Sequence, residues 1–256
     1  MKALKKIAKI NAVWALLAAA IVIAVWLIAY ACVKNDYVIP GIGQTFSALF
    51  SLLGDRTFYV ALGNTVARTA ISFAISFVLA AVFASVSAVC RPFKVTFACL
   101  ISVVRTLPTM AITLMLLIWT SPRVAPAIVT ALVLFPMIYA QFSAAIDGVD
   151  SDLLEMAKLY RLSAGVRLTK IILPSVAAEV LAQVGAWLSL GLKIMVSAEV
   201  LSYTLNSFGG MMQQARLFSE MPRFAALTLM CIVIGLLLEL ISYGLRLAVL
   251  RRKGGE

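Results

Sequence analysis

Long apolar runs separated by short charged segments make up most of this chain. A helix needs about 20 consecutive apolar residues to cross the hydrocarbon core of a bilayer. Six runs are of this kind, at 13–32, 62–89, 95–119, 125–146, 175–203 and 224–247. They leave no room for a second folded domain. The pattern therefore predicts an all-α, polytopic membrane protein of about six transmembrane helices, with a single transmembrane domain over residues 1–256.

Composition agrees with this interpretation and narrows the chemistry. Apolar residues make up 63% of the chain and charged residues only 13%, a balance that soluble domains of this length do not have. Histidine, the commonest general base and metal ligand, does not occur, and neither does the G-x-x-x-x-G-K-[ST] phosphate loop. The four cysteines lack metal-site spacing. We expect no catalytic residue, metal site or bound cofactor on this chain, and the scattered acidic residues disfavour a membrane enzyme.

A charged island, EMAKLYRLSAGVRLTKIILP at residues 155–174, interrupts the apolar pattern. Asp152 and Glu155 suit the positive N-terminal end of a helix. The helical spacing i, i+3, i+4, i+7 then predicts one apolar stripe on a helix of two to three turns, formed by Leu153, Met156, Ala157 and Tyr160. A helix this short must pack on something. The residues alone leave two possibilities open: a docking helix for a partner, or an interfacial helix held on inner headgroups by Lys158, Arg161, Arg167 and Lys170.

The spacing of Glu155, Ala157, Ile171, Leu173 and Pro174 resembles the EAA loop of bacterial ABC importer permeases, which reads E-A-A and, further on, I-x-L-P. The resemblance implies an ABC importer permease fold with a cytoplasmic coupling loop at 150–174, which docks in a cleft of a separate ATPase subunit that binds ATP and Mg. The ATPase-coupling residues would be Asp152, Glu155, Met156, Ala157, Tyr160, Arg161, Gly165, Leu173 and Pro174.

Arg161 is a departure from that family, which usually has glycine six residues after the glutamate. Glycine reaches left-handed backbone conformations freely, whereas a residue with a side chain loses about 1 kcal/mol there. Gly165 could carry a displaced turn instead.

Two further stretches resemble permeases of the nitrate, sulfonate and taurine importer group. VRTLPTMAITLMLLIW at 104–119 resembles their R-x-I-P…P…W segment, and SLGLKIMVSAEVL at 189–201 resembles their L-G-(R/K)-x-W…A-E-x-L helix. Leu114 replaces the second proline, and Ile194 follows the basic residue, so both matches are partial. This resemblance implies a small anionic solute, a homodimer of permease subunits and an external substrate-binding protein that meets segment 204–222.

Ionisable residues inside the apolar runs are candidates for the translocation pathway, because each costs about 2.5–3.5 kcal/mol in lipid. Lys193 and Glu199 lie about 240° apart on a helix and cannot pair with each other. Pro108 removes a backbone hydrogen bond and should bend its helix. The pathway candidates are Arg105, Pro108, Met115, Trp119, Lys193 and Glu199, with helix packing or snorkelling as the alternative role for each.

Basic residues set the orientation of a membrane protein. A cytoplasmic N-terminus places most of the 22 Lys and Arg residues inside, together with the C-terminus and the EAA-like loop. We therefore expect an inner-membrane protein of a bacterium with both termini in the cytoplasm. The first run is expected to be a retained helix and not a cleaved signal. The basic excess reflects topology and anionic lipid, so no nucleic-acid partner is expected. A secondary transporter or channel without ATP is the alternative function, and only the importer predicts a co-purifying ATPase.

Overall fold

The computed structural model describes residues 2–253, and every regular element in that range is helical. The side chains of residues 2–13, 15, 16, 18, 19, 158, 178, 242 and 245–253 lie outside the description, as do Met1 and residues 254–256 entirely. The predicted roles of Lys158 and of the basic residues at the two chain ends therefore fall outside the described side chains.

The helices follow the apolar runs, with short connections between them. They are α1 (Lys2–Val33), α2 (Ile42–Leu53), α3 (Arg56–Val89), α4 (Arg91–Thr106), α5 (Thr109–Trp119), α6 (Ala125–Asp147), α7 (Ser151–Leu159), α8 (Ala164–Arg167), α9 (Leu173–Leu201), α10 (Phe208–Leu217) and α11 (Met221–Lys253). A π-helical segment, Leu168–Ile172, joins α8 to α9.

Four helical stretches are long and apolar enough to cross a membrane: Arg56–Val89, Ala125–Asp147, Glu179–Leu201 and Met221–Ile241. The bent pair α4 and α5 makes a fifth if it counts as one span. The predicted first span falls on α1, where the described apolar part is the shorter stretch Ala20–Val33. The all-α, multi-pass class is confirmed, and the number six stays a prediction.

The chain divides into two compact units. The smaller unit consists of the residues up to Asp55 together with Gln214–Leu229. Within it, the Trp26 indole donates a hydrogen bond to the carbonyl of Pro40 (3.1 Å), which fixes the end of α1 against the following loop. The larger unit consists of Arg56–Gln213 and the segment from Met230 onward. It holds every candidate site residue. A single domain over 1–256 stays a prediction.

Small residues on one face of α3 let it pack closely on α6 in the larger unit. The buried positions of this face are Thr65, Thr69, Ser72, Ser76, Ala80, Ala84 and Ser87. The hydroxyl groups of Ser72 and Ser76 donate to the carbonyls of Ala127 and Ala131, each at 2.9 Å. Lipid could not accept hydrogen bonds from these hydroxyl groups, whereas α6 does. This face of α3 is therefore suited to packing against another helix and not to contact with lipid.

Larger side chains of α6 and α9 fill the remaining core. Leu134, Ile138, Tyr139 and Phe142 pack with Trp187, and all are buried. The Tyr139 hydroxyl lies 2.8 Å from the Ser87 hydroxyl, so the phenol group in this aromatic cluster has a partner. This core holds α3, α6 and α9 together. It thereby fixes the positions of the helix ends that carry candidate site residues.

The helix bends by 90° between α4 and α5, at Leu107 and Pro108. Both residues have extended backbone, with ψ of 130° and 119°. Proline disfavours helical geometry in the residue before it and cannot donate a backbone hydrogen bond. The predicted bend at Pro108 is confirmed, and it is a full break in the helix.

Candidate coupling and translocation sites

An acidic residue just before α7 starts this short helix. The Asp150 carboxylate accepts the backbone N–H of Asp152 (2.9 Å), and the Asp150 carbonyl accepts the N–H of Leu154 (3.3 Å). Side-chain oxygens in this position satisfy N–H groups that have no helical partner. Asp152 and Glu155 lie within the helix with exposed side chains. The helix begins where the sequence predicted, but its capping carboxylate belongs to Asp150.

Arg161 ends α7 in the left-handed conformation, with φ of 51°. The N–H of Leu162 donates to the carbonyl of Ala157 (3.0 Å), the six-residue closure of a Schellman motif. Gly165 lies within α8, and no described glycine has a positive φ. The expectation of a displaced turn at Gly165 is therefore wrong, because the chain turns at Arg161 itself.

Two faces of α7 have different surroundings. Ala157 is 1% exposed, and Leu154 packs against a small buried cluster of Ala145, Ile172 and Val176. The opposite side is open, with exposures of 40% for Leu153, 46% for Met156, 83% for Leu159 and 75% for Tyr160. We call these four residues the α7 outer face.

The predicted single stripe is therefore divided, since Ala157 points inward while Leu153, Met156 and Tyr160 point outward. Leu154 and Leu159, which sequence reasoning did not select, complete the two faces. The i, i+3 spacing of Leu154 and Ala157 is the signal that could have shown the inner one.

The π-helical segment connects this cluster to α9. Leu168 and Ile172 of the segment pack in the same cluster as Leu154. Leu173 and Pro174 begin α9, with proline in the first turn, where a missing N–H is harmless. Short π segments are frequent at functional sites. The predicted coupling residues from Asp152 to Pro174 thus form one continuous structural element that leads into a membrane span.

Glu199, near the end of α9, is fully buried and has four hydrogen-bonding or ionic contacts. Its Oε1 lies 3.0 Å from Nη2 of Arg68 on α3. The hydroxyl of Thr65 donates to both carboxylate oxygens, at 3.1 and 2.9 Å, and the N–H of Gly209 donates to Oε2 at 3.0 Å. A buried carboxylate needs such a set of partners. Glu199 therefore joins α3, α9 and α10 as an internal anchor. The sequence had suggested that it lines a pathway, but its side chain is fully buried.

The start of α10 is shaped to reach this carboxylate. A Cβ on Gly209 would lie 2.5 Å from the Cβ of Glu199 and 2.6 Å from the carbonyl oxygen of Val196, and one on Gly210 would overlap the carbonyl of Thr204. Glycine at both positions allows the helix N-terminus, with its positive partial charge, to approach Glu199. The Ser207 hydroxyl caps the helix by accepting the N–H of Gly210 at 2.9 Å.

The other pathway candidates have exposed side chains. Arg105 and Pro108 lie together at the α4–α5 bend, where Arg105 borders a cleft of 140 Å³ that α6 also lines. Met115 and Trp119 are 51% and 67% exposed on α5. Lys193 is exposed on α9. Among the residues described, neither Arg105 nor Lys193 has an ion-pair partner.

A second cleft, of 490 Å³, lies beside the Glu199 anchor. Two arginines line it, Arg68 from α3 and Arg123 from the α5–α6 connection, together with Asn64 and Asn206. The Asn64 amide donates to the carbonyl of Asn206 (3.0 Å) and holds the loop over the cleft. The sequence analysis did not select these residues. An arginine in α3 among buried Thr and Ser residues is the signal that could have shown Arg68.

Comparison with known proteins identifies the class. A sequence model of the family described as the binding-protein-dependent transport system inner membrane component matches residues 78–253, well over half of the chain. The chain belongs to this family. It is a multi-pass membrane permease of the ABC importer class, a transport component.

Solved structures show the same fold. The crystal structure of an amino acid ABC transporter with histidines is 19% identical, with a TM-score of 0.61, and the match covers 77% of this chain and 94% of that one. The crystal structure of a bacterial alginate ABC transporter, in complex with an alginate pentasaccharide-bound periplasmic protein, is 14% identical with a TM-score of 0.64, covering 90% and 92%. No curated protein matches the chain.

Proposed function

We propose that this chain forms the translocation pathway of a bacterial ABC importer for a small anionic solute such as a sulfonate, taurine or nitrate. It works as a homodimer, receives solute from an external binding protein and is driven by a separate ATPase that docks on α7. ATP and Mg belong to that ATPase. Both chain termini lie in the cytoplasm. The α7 outer face is the observation that carries this proposal.

The chemistry of α7 favours a protein partner over lipid headgroups. Its outer face presents three apolar side chains on a helix of nine residues and a fourth, Tyr160, directly after it. Asp152 and Glu155 are exposed beside them. Anionic headgroups would repel these two carboxylates, whereas a protein groove can pair them with basic residues. An amphipathic helix seated in a groove is a common mode of recognition.

The inner face of α7 supplies the route by which docking moves the membrane helices. Leu154 and Ala157 are held against the chain, and Leu154 shares a cluster with Ile172 and Val176. Packed interiors transmit displacement because they resist compression. A movement of α7 imposed by the ATPase is therefore passed through the π-helical segment to α9.

Uncompensated positive charge supports an anionic solute. Lys193 is exposed within a span, where contact with hydrocarbon would cost about 2.5–3.5 kcal/mol, so water or protein must cover it. A pathway between two permease subunits provides that cover. Arg105 at the α4–α5 bend and Arg123 in the 490 Å³ cleft likewise have no ion-pair partner among the residues described. Unpaired cations between low-dielectric walls attract anions.

Charge reversal at Glu155 tests the docking proposal. We expect Glu155→Lys to reduce the amount of ATPase that co-purifies with the permease and to abolish substrate-stimulated ATP hydrolysis. Glu220→Lys, on the segment proposed to be external, is the matched control for docking and should co-purify as much ATPase as the wild type. Equal co-purification by the two variants would contradict docking at α7.

Replacement of Lys193 or Arg105 with Met tests the anionic pathway, because Met keeps length and packing but removes charge. A pathway role predicts an assembled complex with normal basal ATP hydrolysis and strongly reduced uptake of an anionic solute. Normal uptake by both variants would remove the support for an anion.

A further inference from the structure

A basic cleft of 340 Å³ lies where the ends of α3 and α6 meet α7, α8 and the π-helical segment. Arg91 and Lys94 line it from the start of α4, Asp147 from the end of α6, and Arg167 from α8. Its volume is within the usual range of small-ligand sites. Leu154 of α7 and Ile172 of the π-helical segment also line it, so the cleft adjoins the coupling residues.

The charges in this cleft are only partly balanced. Lys94 forms an ion pair with Asp147. Arg91 and Arg167 have no acidic partner in the described part of the chain. Two guanidinium groups that come from different helices suit one phosphate group, since each can donate two parallel hydrogen bonds to its oxygens.

The position of the cleft connects it to the bilayer. Its walls are the last residues of α3, including Val89, and the last residues of α6, which are both membrane spans by length and composition. From Val89 an apolar face continues along α3 through Val86 and Val82, with exposures of 49%, 43% and 54%. A charged cleft at the end of a span, continuous with an exposed apolar face, matches a phospholipid from headgroup to acyl chain.

We propose that this cleft binds the phosphate of an anionic phospholipid, whose acyl chain lies along Val82, Val86 and Val89. Arg91 and Arg167 contact the phosphate, while the Lys94–Asp147 pair forms the side of the cleft. A bound phosphate links α4 to α8 and thereby limits the movement of α7 and the π-helical segment. Anionic lipid would in this way control coupling to the ATPase. That regulatory consequence rests on the proposed function, whereas lipid binding does not.

The test of binding uses the purified permease chain alone in detergent, with native mass spectrometry to count retained lipids. The probes are dioleoyl phosphatidylglycerol, dioleoyl phosphatidylcholine and water-soluble glycerol phosphate. Arg167→Gln and Arg91→Gln are the cleft variants. Lys170→Gln is the matched control, because it removes one positive charge three residues from Arg167 at an exposed position outside the cleft.

We expect the wild-type chain to retain phosphatidylglycerol in preference to phosphatidylcholine. Each cleft variant should lower the affinity for phosphatidylglycerol about fivefold, the effect of one basic residue near an anionic headgroup. Lys170→Gln should stay within about twofold, and Arg91→Lys, which keeps the charge but loses the two parallel hydrogen bonds, should bind more weakly than the wild type and more tightly than Arg91→Gln. An unchanged thermal unfolding midpoint in the variants confirms that they are folded.

Three results would overturn the proposal. An equal effect of Arg167→Gln and Lys170→Gln would show unspecific attraction by surface charge. Competition by glycerol phosphate at the same concentration as the lipid would show a site for free phosphate compounds. Unchanged lipid retention with loss of co-purifying ATPase in the cleft variants would show a protein contact.

The regulatory part is tested in the complete importer, reconstituted in vesicles of phosphatidylcholine with or without phosphatidylglycerol. Substrate-stimulated ATP hydrolysis should fall with phosphatidylglycerol in the wild type, because the bound phosphate limits the movement of α7, and be insensitive to it in Arg167→Gln. If no ATPase associates with the chain at all, the proposed function fails while the lipid-binding result stands.

Discussion

Three of the described helices close with a six-residue hydrogen-bonded turn at a left-handed residue that carries a side chain. Arg161, Tyr203 and Ser219 have φ of 51°, 51° and 58°. In each case the next N–H reaches back to a helical carbonyl, as in Leu162 to Ala157, Thr204 to Glu199 and Glu220 to Ala215, at 2.8–3.2 Å. Glycine is the usual residue at this position. The hydrogen-bonded turn therefore forms here despite the local cost of each side chain.

Replacing Arg161 with Gly should stabilise the protein. The left-handed conformation costs a residue with a Cβ about 1–2 kcal/mol, and the greater freedom of glycine in the unfolded chain offsets about 0.5–1 kcal/mol of the gain. We expect a net gain of up to about 1 kcal/mol, or about 2–4 °C in thermal unfolding of the purified chain.

Arg161→Ala is the control, since it removes the charge but keeps the Cβ, and it should give no gain. A lower unfolding temperature for Arg161→Gly than for Arg161→Ala would show that the strain argument is wrong.

Glu199→Gln should be strongly destabilising. The amide keeps the shape of the side chain but leaves Arg68 without its counter-charge, and breaking a buried pair costs about 3–5 kcal/mol. Glu179→Gln on the same helix is the control, because Glu179 is exposed, and it should change stability by less than about 0.5 kcal/mol.

Thermal unfolding of the double variant Arg68→Gln/Glu199→Gln separates charge from shape. If the two groups are coupled, the double variant loses less than the sum of the single variants. Additive losses would contradict the ion pair as the source of the effect.

At the residue scale, sequence reasoning identified special positions but not their contacts. Arg161 was recognised as the residue in the glycine position, and the structure places the turn there. Lys193 and Glu199 were grouped as charges in one apolar run, yet one is exposed and the other buried. Burial of Glu199 depends on Thr65, 134 positions away, and on Gly209, beyond the end of α9, and helical periodicity contains no information about such pairs.

At the scale of elements, α7 is a helix whose two faces have separate consequences. Its outer face is open, and its inner face is bound to the cluster of Ala145, Ile172 and Val176 through Leu154. Docking and transmission of movement can therefore be changed independently by mutation.

Leu154→Ala should leave ATPase docking intact but reduce substrate-stimulated hydrolysis and uptake, because the helix loses its contact with the cluster. The cavity that remains also lowers the stability of the permease, by about 2 kcal/mol for a leucine in such a site.

Leu159→Ala should have the opposite effect, with less co-purifying ATPase and an unchanged unfolding temperature, since its side chain is 83% exposed. Loss of docking in Leu154→Ala with normal docking in Leu159→Ala would reverse the assignment of the two faces.

Elements with a strong local cause were predictable. Pro108 forbids a continuous helix, and the break lies there, although the 90° angle comes from packing against α6 and could not be read from proline alone. The extent of α7 followed from its charged flanks. The π-helical segment at Leu168–Ile172 has no distinct residue pattern, and Leu168 and Ile172 pack in one cluster that the sequence does not show.

At the scale of the whole molecule, orientation in the membrane decides whether α7 lies on the side where the proposed ATPase would dock. We expect Ser163→Cys, in the coupling loop, to be protected from an impermeant thiol reagent in intact cells, and Leu205→Cys to be labelled. Leu205 is 67% exposed, whereas Ser207 in the same loop is fully buried and caps α10, so it is unsuitable as a probe.

The background for this labelling lacks Cys32, Cys90, Cys99 and Cys231. Permeabilised membranes provide the control, in which both new cysteines should react. Labelling of Ser163→Cys alone in intact cells would invert the topology and place α7 on the outside.

The fold class was accessible from hydropathy because lipid admits only helices or closed barrels. The number of spans was harder to predict from hydropathy. A hydropathy profile measures the length of an apolar run, and a broken helix and a straight helix can have apolar runs of the same length. The identity of the partners and of the solute could not be predicted, because it depends on interfaces between this chain and other chains. The sequence of one chain describes only its own side of such an interface.

The break between α4 and α5 also has a consequence for how the protein is made. At about 1.5 Å per residue, α4 with 16 residues and α5 with 11 are about 24 and 17 Å long, and neither crosses a hydrocarbon core of about 30 Å. α5 rests on α6 and α9, which leave the ribosome after it. α5 therefore reaches its final position only after α6 and α9, which follow it in the chain, have been synthesised and inserted.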